Sequence, residues 1–221
     1  SGISTTQSML CPLFVGREQT LNSLLQLFEQ ASRNQGKVAL ISGEAGIGKS
    51  RLVREFRAHL TETLILQSNC YELDQTQPYT PLVSLLQTLT DLPLTPTQNI
   101  LASTRTAELT RLLQALSDAS AVPINSAQEQ QRLLQSLTQR LIQLAQVQPL
   151  VIIFEDIHWC DDASLEYLTY LAQQLANKPI LLILTWRSEA LTPLLTRCLA
   201  TIERTREKDR RAPTQVVALF G

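Results

Sequence analysis

Lys37–Ser50 reads KVALISGEAGIGKS, and this stretch decides the fold. Its first half, Lys37–Ser42, is a short apolar, β-branched run, the pattern of a buried strand. Its second half, Gly43–Ser50, matches G-x-x-x-x-G-K-[ST]. Beyond it Leu52, Val53 and Phe56 recur at helical spacing over Ser50–Leu60. A glycine loop between strand and helix is the setting in which this motif cradles phosphates. Its glycines let backbone amides point inward as an anion nest, and the next helix presents a positive N-terminus. Lys49 is placed to bridge the β- and γ-phosphates of a nucleoside triphosphate, and Ser50 to ligate Mg²⁺. The expected nucleotide contacts are Gly43, Glu44, Ala45, Gly46, Ile47, Gly48, Lys49, Ser50 and Arg51. Among these, Glu44 and Ile47 read as spacers, without a catalytic part.

Upstream, Arg17 to about Arg33 reads as an amphipathic helix with Leu21, Leu24, Leu25 and Phe28 on one face. Downstream, Thr63–Gln67 is a second strand. Residues 74–125 are punctuated by Pro78, Pro81, Pro93, Pro96 and Pro123 and read as a helical insert, with pieces at Leu82–Leu89 and Glu108–Leu116. Ser126 and Glu129 have capping-box spacing, starting a helix that runs to about Val147. Leu150–Phe154 (LVIIF) is a continuous apolar strand. Asp161 or Asp162 caps another helix, Ile180–Thr185 is a fourth strand, and a helix follows near Ala190–Ala200. The mixed-sign run Glu203–Arg211 reads as a solvated, partly mobile loop, and Gln215–Phe220 as a fifth strand. Apolar strands alternating with helices imply a parallel sheet covered on both faces. The expected fold is therefore α/β: a P-loop NTPase three-layer α/β/α sandwich with a mainly parallel five-stranded sheet, ASCE/AAA-like. Residues 1–11 read as a tag remnant or flexible lead-in, and 12–221 as one nucleotide-binding domain excised from a longer protein.

A phosphate loop needs an acidic partner for its metal. Glu155-Asp156, directly after the strand Leu150–Phe154, has the Walker B arrangement. The first acid, Glu155, takes the metal position, where Asp is commoner. The second, Asp156, is the candidate for orienting or deprotonating the attacking water. Arg187 follows the fourth strand at a carboxyl end, where ligands gather in parallel sheets, and is placed to sense the γ-phosphate. Thr185 reads equally as a contact to that water or as structure. His158 reads as a residue packed under the loop.

The chain has 19 basic and 20 acidic residues, a formal net charge of −1. That balance gives no general reason to bind nucleic acid or an anionic membrane, and no apolar run is long enough to span a bilayer. Cys11, Cys70, Cys160 and Cys198 form no CxxC pair. They read as reduced thiols of a cytoplasmic protein, three of them in apolar surroundings.

Several motifs now stand in order: Phe14-Val15-Gly16-Arg17-Glu18, then GEAGIGKS, then VIIFEDIHWCDDAS, then LLILTWR. Together they resemble the STAND-type AAA ATPase domain of bacterial signal-transduction and regulatory proteins, over about residues 12 to 220. The resemblance implies ATP or ADP with Mg²⁺ as ligand. It implies that Val15 and Gly16 pass the adenine, with Arg17 as the accompanying basic residue, and that Asp161 or Asp162 is an extra acid after Walker B. It implies a slow ATP hydrolase acting as a switch, with self-association of the full-length protein in the ATP state. The family's lid and winged-helix domains would lie beyond Gly221. The competing functions are a binding-only nucleotide module, a DNA-handling ATPase, disfavoured by the charge balance, and a small-molecule kinase, disfavoured by the length and the helical insert.

Overall fold

In a computed structural model of the chain, residues 17–61, 63–90, 114, 127–208 and 214–218 are described. The expectations for Val15, Gly16, Cys11, the Ser126 cap and most of the 74–125 insert lie outside them.

The strands are β1 (Lys37–Gly43), β2 (Leu64–Asn69), β3 (Leu150–Glu155), β4 (Ile180–Arg187) and β5 (Thr214–Ala218). The sheet order is β2-β3-β4-β1-β5. Every pairing is parallel. Four of these strands, β2-β3-β4-β1, have described side chains, and β5 is described by its backbone register against β1. The helices are α1 (Glu18–Ser32), α2 (Lys49–Ala58), α3 (Thr80–Thr90), α4 (Ala127–Ala145), α5 (Asp162–Gln174) and α6 (Pro193–Lys208).

Side-chain alternation along the strands builds two cores. Leu40 of β1, Ile152 and Phe154 of β3, and Leu182 and Leu184 of β4 face one side, where Leu85, Leu137, Leu168 and Leu195 of α3 to α6 cover them. Ala39, Ile41, Val151, Ile153, Leu181 and Ile183 face the other side, against Leu24 and Leu27 of α1 and Leu52 and Phe56 of α2. Strands apolar on both faces thus sit between two helical layers. Complete burial of each such Leu, Ile or Phe contributes about 1.5–3 kcal/mol. A backbone contact sets the spacing at the sheet's lower edge: a Cβ on Gly36 would lie 2.0 Å from the Leu175 carbonyl oxygen, so only glycine lets the loop before β1 pass the end of α5.

Three sequence expectations are corrected. The run Glu203–Arg211 is not a loop throughout, because α6 continues to Lys208. Glu, Arg and Lys are good helix formers, and Glu203–Lys208 contains no proline or glycine. The same helix starts at Pro193, three residues later than expected, with Thr192 Oγ1 accepting the Leu195 amide (3.1 Å) and proline at the first helical position. Strand β2 runs to Asn69, two residues beyond the expected Gln67, which carries Cys70 to the sheet's carboxyl edge.

Candidate nucleotide site

Strand parity and strand order assemble the site. Gly43, Glu155, Thr185 and Arg187 continue the α1/α2-facing alternation of β1, β3 and β4. Because β4 lies between β1 and β3, the phosphate loop, Arg187 and the Walker B acids are consecutive along one carboxyl edge. In register, Gly43 pairs with Arg187, and Phe154 with Leu184.

The loop has the expected form. Gly46 and Gly48 have φ of 76° and 98°, left-handed values open to glycine at little cost. Gly48 is the N-cap of α2, so the helix begins on Lys49. Lys49 is 7% exposed. Its Nζ donates to the carbonyls of Gly43 (2.8 Å) and Glu44 (2.9 Å), tying the loop closed. Burial lowers its pKa from the ordinary lysine value, while the nearby Asp156 and Glu189 charges oppose that shift. Arg17 Nη1 sits 3.3 Å from where a Gly48 Cβ would be. It is a buried donor without a hydrogen-bond partner in the structure. The resemblance made Arg17 an adenine-side residue, yet its guanidinium lies against the phosphate loop.

One contact had no signal in the sequence. The Ala45 amide, part of the nest, donates to Glu189 Oε1 (3.1 Å). The loop's anion is here a carboxylate of the chain itself, two residues past Arg187. Backbone and side-chain donors, with Lys49 nearby, lower the Glu189 pKa. A phosphate bound in this nest would meet the Glu189 carboxylate at that amide. Exchanging Glu189→Gln should tighten ADP binding several-fold in a calorimetric titration; unchanged or weaker binding would remove Glu189 as a competitor.

The Walker B acids differ in setting. Glu155 is 6% exposed, and its Oε1 accepts from Gln67 Nε2 (2.6 Å). Asp156 adopts a left-handed φ of 57°. Its amide donates to Thr185 Oγ1 (3.0 Å), which gives Thr185 a structural part: it holds the turn that presents Asp156. A cleft of about 600 Å³ is lined by Ser50, Glu155, Asp156, Arg187, Cys70 and Trp159 among others. A smaller one of about 190 Å³ is lined by the loop from Ala45 to Arg51, again with Asp156 and Arg187. Arg51 also lies 3.9 Å from Glu55.

His158 is buried as expected, its ring tilted at 42° against Trp159 with a centroid distance of 5.0 Å. Its Nδ1 is 3.8 Å from Asp156 Oδ1, and burial lowers its pKa against the opposing Asp156 charge. The open choice between Asp161 and Asp162 resolves on Asp161 as the cap. It is 5% exposed, accepting the Ser164 amide (2.8 Å) and hydroxyl (2.6 Å). Both its oxygens serve α5. Removing them in Asp161→Ala should cost about 1–2 kcal/mol of stability, read as a lower denaturation midpoint, with nucleotide affinity little changed.

The donor set fits a nucleotide with a divalent ion. Inward amides and Lys49 suit phosphate, and the unpartnered Arg17 Nη1 lies beside them. Among the described residues no group of three His, Cys, Asp or Glu side chains is placed to hold a metal alone. A magnesium ion here would rest on Ser50, one carboxylate, waters and the phosphates themselves, the usual arrangement for that ion.

Residues 13–183 match the family model of the AAA ATPase domain. The chain belongs to that family. AAA ATPase domains bind ATP or ADP with Mg²⁺, in keeping with this loop. An uncharacterized protein of Rhizobium meliloti (strain 1021) is 28% identical over 188 residues, which cover 78% of this chain and 18% of that protein. The chain thus spans under a fifth of the curated relative it matches. Among solved structures, Cdc6p from Pyrobaculum aerophilum superposes with a TM-score of 0.56 at 15% identity, over 97% of this chain and 48% of that one. Drosophila ORC bound to DNA gives a TM-score of 0.46 at 16% identity, over 93% of this chain and 96% of that one. The first likeness shows the α/β fold with a parallel sheet. The second, with a TM-score under 0.5, carries no argument about fold or partner. No helix among the described residues is long and apolar enough to cross a membrane.

Proposed function

We propose that this chain is the nucleotide module of a STAND-type regulatory protein: a domain that binds ATP with Mg²⁺, hydrolyses it slowly and uses the difference between ATP and ADP as a switch. The observation that carries the reading is the convergence of Ser50, Asp156 and Arg187 on the two adjoining clefts at the phosphate loop. The bound metal would supply charge neutralisation on the phosphates. The chain's own groups divide the remaining work. Loop amides and Lys49 hold the phosphate chain. Ser50 and Glu155 orient the metal, Glu155 itself being steadied by Gln67. Arg187 reads the terminal phosphate from the middle strand. Asp156 accepts a proton from water held between itself and that phosphate.

A binding-only module is favoured by one specific feature, the engagement of Glu155 by Gln67 at 2.6 Å, which occupies one oxygen of the metal-position acid. The test is calorimetry with ATP and ADP, with and without Mg²⁺, beside single-turnover hydrolysis. The switch reading expects Mg²⁺-dependent ATP binding, measurable hydrolysis, and a larger species with ATP than with ADP in light scattering of the full-length protein. Tight binding with no hydrolysis selects the binding-only module; no binding of either nucleotide overturns both. The switch reading keeps nucleic acid out of this domain's direct ligands. A duplex-DNA anisotropy titration that saturates at physiological salt would reverse that part.

A further inference from the structure

Cys70 and Cys160 are 90 positions apart in sequence, yet their Sγ atoms lie 2.8 Å apart. Cys70 follows β2 directly, and its amide donates to the Glu155 carbonyl (2.9 Å). Cys160 closes the short turn Ile157–Trp159 that follows Asp156. The pair therefore spans from the edge strand to the Walker B turn. Both thiols are buried, at 3% and 5% exposure, and both are free. A disulfide needs its sulfurs about 2.05 Å apart, so closure requires an approach of only about 0.8 Å.

We infer that Cys70 and Cys160 are an oxidation-sensitive dithiol that closes to a disulfide, stapling the Walker B turn to the end of β2. The cleft gives the route in, since Cys70 lines it and Cys160 does not. Cys70, on the cleft, therefore meets the oxidant first, and Cys160 is the second, resolving thiol; the hydrogen bond to Cys70 and then burial raise the Cys160 pKa, which slows that step too. With a peroxide as oxidant, Cys70 sulfur attacks one peroxide oxygen, giving a sulfenic acid and one water. Cys160 sulfur then displaces the hydroxyl as a second water, and the S–S bond forms. Two thiols and one hydrogen peroxide yield one disulfide and two waters, with the two thiol protons leaving in the waters. Burial makes the first step slow, which sets the exposure at hours. The closed loop is long, so the bond removes much of the unfolded chain's freedom. Cys198 is outside this pair: its sulfur is 2.9 Å from Thr169 Oγ1.

The test treats the whole chain with hydrogen peroxide, blocks remaining thiols under denaturing conditions, and maps peptides. The expected result is a Cys70–Cys160 cross-linked peptide within monomers, reversed by dithiothreitol. It should come with a rise of roughly 10 °C in the unfolding midpoint. Cys70→Ser and Cys160→Ser should each abolish the cross-link and the rise, while Cys198→Ser keeps both. Alkylation of both residues after oxidation, pairing with Cys11 or Cys198, cross-links only between molecules, or a disulfide without a rise in midpoint would each overturn the inference. The wild-type peptide map needs neither variant to fold. None of these readouts uses nucleotide, so failure here is separate from failure of the ATPase reading.

Discussion

Lys49→Ala should weaken ATP binding about 100-fold, read by titrating a fluorescent ATP analogue, while circular dichroism shows the fold retained. The size follows from what the side chain does. Its ammonium holds the Gly43 and Glu44 carbonyls at 2.8 and 2.9 Å and faces the same small cleft as the loop amides. A charge-assisted hydrogen bond contributes about 1.5–3 kcal/mol, and the variant loses the one to phosphate together with the loop's internal tie. The cation is buried; the Asp156 and Glu189 charges favour it, and those of Arg187 and Arg17 oppose it. Without it the acids at the loop stand less compensated against an incoming polyphosphate. Unchanged affinity in a folded variant would remove the phosphate-loop assignment, and with it the ATPase reading.

Much of this site was legible in the sequence because its parts depend on spacing along one segment. A strand, a glycine loop and a helix N-terminus are contiguous in Lys37–Ala58, so local pattern sufficed. Walker B was similarly local: an apolar strand ending in Glu155-Asp156. The contacts that escaped are those between segments. Nothing near residue 189 marks a glutamate that will reach Ala45, 144 positions away. Cys70 and Cys160 lack CxxC spacing because the sheet, not the sequence, brings β2 and the Walker B turn together. Gln67 meets Glu155 for the same reason. The error in α6 had another origin. Mixed charge is a weak loop signal, because helices carry charged faces readily, and Glu203–Lys208 holds neither proline nor glycine.

Asp156→Asn separates chemistry from architecture most sharply. Asparagine tolerates left-handed backbone geometry, so a φ of 57° costs little more than for aspartate. The backbone amide keeps its bond to Thr185 Oγ1. What disappears is the carboxylate's capacity to accept a proton. Single-turnover hydrolysis should fall by about 10²–10⁴-fold, the usual worth of a positioned base, with ATP affinity held within a few-fold. Asp156→Ala would confuse the two effects, because alanine at that φ strains the turn. Glu155→Gln supplies the contrast: it should raise the Mg²⁺ concentration needed for half-maximal ATP binding. If the effects exchange, so that Asp156→Asn changes Mg²⁺ dependence and Glu155→Gln stops turnover, the roles of the two acids are reversed. The nearness of Asp156 to Lys49 in the smaller cleft makes that contrast worth measuring. Wild type no faster than Asp156→Asn would leave a protein that holds its nucleotide and does not spend it.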